Sequence, residues 1–211
     1  MKQTIRNKIF ETNSSSAHTL VYSKERPERF DFNLDTDEDG IVTIHFREYG
    51  WSGPEETGSL LTHSNDKLDY IMTMLCYCKG WDLEKEEAQT LLDNEEELEE
   101  YLLEEPKVSD LLDEIRGICP KVKGFKFELN SNWSGYTFGH IDHQSQDLLD
   151  DESVSDLINI IFNKGCMIVI DNDNSNYYTS FSSYLQPGLN TIANPFTDGT
   201  RYNITEKDFE E

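Results

Sequence analysis

The sequence predicts an α+β protein, with an antiparallel or mixed sheet and a central acidic helical segment. Two observations carry this. Apolar residues alternate with polar ones in the first and last thirds of the chain, but recur at helix-face spacing in the middle. The acidic side chains gather in that same middle.

Taken in order, Thr4 to Phe10 and His18 to Ser23 are expected strands flanking a serine loop. Phe30-Asp31-Phe32-Asn33-Leu34 and Ile41-Val42-Thr43-Ile44-His45-Phe46 both alternate, and Asp39-Gly40 between them predicts a hairpin. Tyr49-Gly50-Trp51-Ser52-Gly53-Pro54 breaks the pattern as a loop. Over 64–79, Leu68, Ile71, Met72 and Leu75 share a helix face, with Gly80 as the stop. Asp82 can cap a second helix through Leu92. Asn94 with Glu97 resembles a capping box for a third, which must end before Pro106. A fourth is expected from Ser109 through Ile115. Phe125, Phe127 and Leu129 lie on one side of a strand, and Tyr136 to Ile141 is expected to pair back. Ser153 caps a helix whose apolar face is Val154, Leu157, Ile158 and Ile161. Cys166 to Ile170 is apolar throughout, the mark of a strand buried on both faces. A short strand at Tyr202 to Ile204 closes the series. The whole reads as one α+β domain over residues 1–211 with a helical insertion at about 64–117; two packed subdomains, 1–117 and 118–211, are the alternative.

Charge narrows the partners. With 42 acidic against 18 basic side chains the net charge is −24. Such a surface repels phosphate backbones, so direct nucleic-acid binding is not expected, and a basic partner is. No apolar run of ~18 residues is present to cross a membrane. Cys76, Cys78, Cys119 and Cys166 lack Cys-x-x-Cys spacing and read as free buried thiols of a reducing cytosol. A soluble cytoplasmic protein without cofactor or metal is the expectation.

The acid is concentrated. Residues 82–114 hold fifteen Asp or Glu against Lys85 and Lys107, a net −13 in 33 residues. Carboxylates at helical spacing repel by a few tenths of a kcal/mol per pair. One reading is a row of carboxylates spaced like phosphates and offered to a basic groove, with Glu95, Glu96, Glu99, Glu100, Glu104 and Glu105 as contact residues. The plainer reading is a solubilising face.

Other polar stretches are weaker. Asp35-x-Asp37-x-Asp39-Gly40 matches half a calcium loop, but Phe46 stands where a bidentate Glu is needed, so a turn is expected. His140 with Asp142 could orient an imidazole, provided that His18, Asp171 or Asp173 converged on it. Ser14, Ser15 and Ser16 with loop amides suit an anion, although no Lys or Gly-rich cradle accompanies them. A site for a phosphorylated or nucleotide-like ligand would join Ser14, Ser15, Ser16, His18, His143 and Asp171.

The island Arg6-Asn7-Lys8-Ile9-Phe10-Glu11-Thr12-Asn13-Ser14-Ser15-Ser16-Ala17-His18, with Tyr49-Gly50-Trp51, Ile141-Asp142-His143-Gln144-Ser145 and Asp171-Asn172-Asp173-Asn174, resembles a group of phage- and prophage-borne bacterial proteins. The resemblance implies a phage setting and hands over no catalytic residue. In that setting the acidic segment suggests an accessory protein that inhibits a host defence or nucleic-acid-handling enzyme, of anti-CRISPR or anti-restriction type. Its partner would be a host protein with a basic nucleic-acid-binding channel, and a second copy of the chain is a further candidate. An enzyme or binder for a phosphorylated small molecule is the alternative, and a phage assembly factor with a merely soluble surface a third.

Overall fold

The computed structural model describes residues 16–23, 30–49, 59–80, 83, 85–129, 137–141, 149, 152–172, 189–193 and 203–204. They form a mixed α+β fold. In chain order the elements are β1 (Ser16–Ser23), β2 (Ile41–His45), β3 (Glu48–Tyr49), β4 (Ser59–Leu61), α1 (Ser64–Cys76), α2 (Lys85–Asp93), α3 (Glu95–Leu103), α4 (Pro106–Ile118), β5 (Gly124–Glu128), β6 (His140–Ile141), α5 (Val154–Phe162), β7 (Cys166–Asn172), β8 (Leu189–Ala193) and β9 (Asn203–Ile204). The strand expected over Thr4 to Phe10 lies outside the described residues.

The strands do not make one antiparallel or mixed sheet. A five-stranded sheet runs in the order β4-β7-β1-β8-β9. Apart from it, β2 pairs with β5 and β3 with β6, both in parallel. The cause is visible at Asp39-Gly40. Asp37 closes the turn, its Oδ1 accepting from the backbone N–H of Asp39 (2.9 Å) and Ile41 (2.8 Å). The segment before it does not return along β2. Phe30 bridges Asn163, and the Asp31 N–H donates to the Phe162 carbonyl at the end of α5. The Gly40 carbonyl accepts instead from Lys123 N–H at 2.8 Å, which leads the chain beside β5. The expected hairpin is therefore a turn feeding a parallel pair. The strand expected to pair back on β5 likewise lies against β3.

Helix ends follow local chemistry. Ser153 and Asp156 form a reciprocal capping box at the start of α5. The Asn94 side chain accepts from the N–H of Glu96 and Glu97, capping α3. Here Glu97 answers to the Asn94 side-chain amide at 2.8 Å. Pro106 opens α4 three residues before the expected Ser109, because a fixed φ and a missing N–H suit a first helical position.

α1 is not one-faced. Lys67, Leu68, Asp69, Tyr70, Ile71, Met72, Thr73, Met74 and Cys76 are all buried. Buried apolar side chains from Leu34 to Ile170 form one core around it. Cys166, Met167, Ile168 and Ile170 of β7 are buried, as an apolar strand requires. Burial pushes the Cys76 and Cys166 thiols up to about 12. Cys78 is exposed, against the expectation that all four cysteines are buried.

Candidate functional site

α3 stands on the core through Leu98 and Leu102, one turn apart and both buried. At 100° per residue the opposite side carries Glu96, Glu100 and Glu104, with Glu99 and Leu103 on its flanks. These five line an open surface depression of about 500 Å³. Successive members of the Glu96, Glu100, Glu104 row are about 6 Å apart along the axis.

Cations sort these carboxylates into two groups. Lys126 of β5 lies 3.4 Å from Glu95, and Arg116 of α4 lies 3.8 Å from Glu99. Arg116 is held in turn by Asp113 at 2.8 Å and by the Phe125 ring at 5.1 Å. Among the described residues no cation pairs with Glu96, Glu100 or Glu104. Glu105 leaves the row: it precedes Pro106, and its carbonyl accepts from Val108 and Ser109 N–H at 3.0 Å. Of the six expected contact residues, the structure thus brings Glu96, Glu99, Glu100 and Glu104 together and sets Glu95 and Glu105 aside.

The row costs stability. Glu96 with Glu100, and Glu100 with Glu104, are like charges at i,i+4. Glu100 and Glu104 also sit toward the negative end of the helix, whose last turn holds no base. The Asn94 cap and the acids of the first turn offset part of this, and burial of Leu98 and Leu102 the rest.

Of the other expected set, the structure describes Ser16, His18 and Asp171, which are neighbours on paired strands. Ser14, Ser15 and His143 lie outside the described residues, as do Asp142 and Asp173. Ser16 pairs with Asn172, Ala17 with Asp171 and His18 with Ile170 along β1 and β7. His18 and Asp171 therefore occupy adjoining strands one register position apart. His140 lies in β6, where its N–H donates to the Arg47 carbonyl at 3.0 Å. Among the described residues no group of three or more His, Cys, Asp or Glu is placed to hold a metal ion. No helix among them is long and apolar enough to cross a membrane.

A second polar site was not legible in the sequence. β5 occupies one edge of β2, and on the other edge the side chains of α1 take the place of a strand. Asp69 Oδ1 accepts the His45 N–H at 2.9 Å, and Thr73 Oγ1, one turn on, accepts the Arg47 N–H at 3.4 Å. Between them the Phe46 N–H faces the other way, to the Glu128 carbonyl at 2.9 Å. Gly139, at φ +71°, lets β6 approach this edge: a Cβ there would lie 2.2 Å from the Arg47 carbonyl oxygen. Asp69 Oδ2 meets His45 Nδ1 at 3.2 Å and Arg47 at 3.4 Å. Burial pushes the Asp69 carboxyl above its ordinary range, against the pull of His45 and Arg47. The available signal was an acid set among Leu68, Tyr70, Ile71 and Met72, with a buried Lys67 beside it.

Comparison with protein-family models, with curated proteins and with solved structures found no match.

Proposed function

We propose that the chain is a binding protein whose α3 ridge docks into a cationic groove of a nucleic-acid-handling protein. In the phage setting implied by the N-terminal island, the target is a host defence enzyme of CRISPR or restriction type, and docking blocks its nucleic-acid channel. The supporting observation is the Glu96, Glu100, Glu104 row, which is contiguous, exposed and unmatched by any cation among the described residues. Exposed carboxylates steer association with a basic surface and lose that influence as salt rises, since the screening length falls from about 8 Å at 0.15 M to about 3 Å at 1 M.

Capture from bacterial lysate tests this. The immobilised chain is expected to retain a basic nucleic-acid-binding protein that competing DNA and high salt both release. The combined Glu96→Lys, Glu100→Lys, Glu104→Lys variant is expected to lose at least about 100-fold in affinity, or roughly 3 kcal/mol. Equal capture by that variant would remove the basis of the proposal.

A further inference from the structure

The last turn of α3 is where the acidic ridge is hardest to hold. Glu100 and Glu104 repel at i,i+4, both sit toward the negative end of the helix, and the turn holds no base of its own. A base arrives from another segment. Lys79 lies in the 3₁₀ turn Tyr77–Gly80 that follows α1, and its Nζ donates to the Tyr101 carbonyl at 3.0 Å. In a continuing helix that carbonyl would accept from the Glu105 N–H. The Glu105 N–H donates to the Leu102 carbonyl, at 3.2 Å, and Lys79 takes its place. The tie is reciprocal. Tyr101 Oη donates to the Lys79 carbonyl at 3.3 Å, and the ammonium stands 4.6 Å from the centre of the Tyr101 ring. That ring stacks on the buried Phe138 at 5.7 Å.

We propose that Lys79 is a positioning residue for the α3 ridge: it caps the helix from outside and keeps Glu100 and Glu104 in row with Glu96. The functional half of this rests on the docking role of α3; the cap itself does not. A bond from an ammonium is roughly twice as strong as one between neutral groups, and Lys79 is half-buried. The Lys126–Glu95 pair lies in water, where such pairs hold little. Without the cap the helix frays from its end. Glu104 leaves the row first and Glu100 next, while Glu96, whose N–H is held by Asn94, stays.

Two variants of the full chain test it. Lys79→Met keeps the stem and removes the ammonium; Lys79→Arg keeps the charge and its donors. In the free protein the Glu104 and Glu105 amides are expected to exchange about tenfold faster in Lys79→Met, with β1 and β7 unchanged, and Lys79→Arg to restore the protection. An oligo-arginine peptide at low salt serves as the cationic probe. Losing a cation makes the chain more negative, so net charge alone predicts tighter peptide binding by Lys79→Met. Loss of position predicts the reverse, and a fall of about fivefold is expected, recovered in Lys79→Arg. Unchanged exchange in Lys79→Met, equal loss in both variants, or faster exchange spreading to β1 and β7 would overturn the cap. A loosened turn with equal or tighter peptide binding would overturn the positioning role. Failure of α3 docking shows separately, as equal peptide binding by the wild type and by the combined Glu96→Lys, Glu100→Lys, Glu104→Lys variant.

Discussion

α1 and α3 both carry charged side chains on helices that pack against the core, and they treat that charge in opposite ways. In α1 Lys67 and Asp69 are buried and matched. Lys67 Nζ donates to the carbonyls of Asn163 and Cys166, both at 3.1 Å, and Asp69 is met by His45 and Arg47. In α3 only the edge of the acidic face is matched, by Lys126 and Arg116, and the outer row has no counterpart among the described residues. Where charge serves the fold, a partner from a distant segment is in place. The α3 row receives none among the described residues and repels itself along its own helix.

The contrast can be broken from the α1 side first. Asp69→Ala is expected to destabilise by about 3 kcal/mol in urea unfolding, because it removes the acceptor of the His45 N–H and leaves a cavity. A loss near zero would mean that α1's charge is no more structural than that of α3.

Lys67 sharpens the comparison through pH. Burial lowers its ammonium from 10.5 to about 8. The folded protein gives up this proton near pH 8, while the unfolded chain holds it until near 10.5. At Lys67 the unfolded state therefore binds more protons across that window, and this residue contributes a rise in stability of roughly 3 kcal/mol, opposed above about pH 9 by the buried Cys76 and Cys166 thiols, whose protons the unfolded chain loses first. The difference in urea stability between wild type and Lys67→Met, in which the thiols cancel, is expected to shift in favour of wild type from neutral to alkaline pH.

The smallest effect belongs to α3. The combined Glu96→Gln, Glu100→Gln, Glu104→Gln variant removes two i,i+4 repulsions and is expected to gain about 0.5 kcal/mol. Adding salt should stabilise the wild type more than this variant. A clear loss of stability in the variant would show that the row has an internal partner after all.

Much of this was legible because helix ends are written locally. Asn94 and Ser153 cap the helices that their sequences predict, whereas Pro106, expected only as a stop, opens α4 in place of Ser109. Strand pairing was not legible. Ile41 to Phe46 alternates whether it meets Phe30 to Leu34 or Phe125 to Phe127, and the Lys123 to Gly40 bond that decides between them joins distant segments. The acidic face was half legible. Its density shows in the sequence, but the split between tied Glu95 and Glu99 and untied Glu96, Glu100 and Glu104 is set by Lys126 and Arg116. Asp69 and His45 read as ordinary members of a helix and a strand because neither names its partner.

Amide hydrogen exchange of the chain, alone and bound to the basic protein captured from lysate, puts the α3 assignment to its most direct trial. The account predicts new protection over residues 96–104, with β1 and β7 unchanged. Protection that falls on β1 and β7 and leaves α3 exchanging as in the free chain would contradict it.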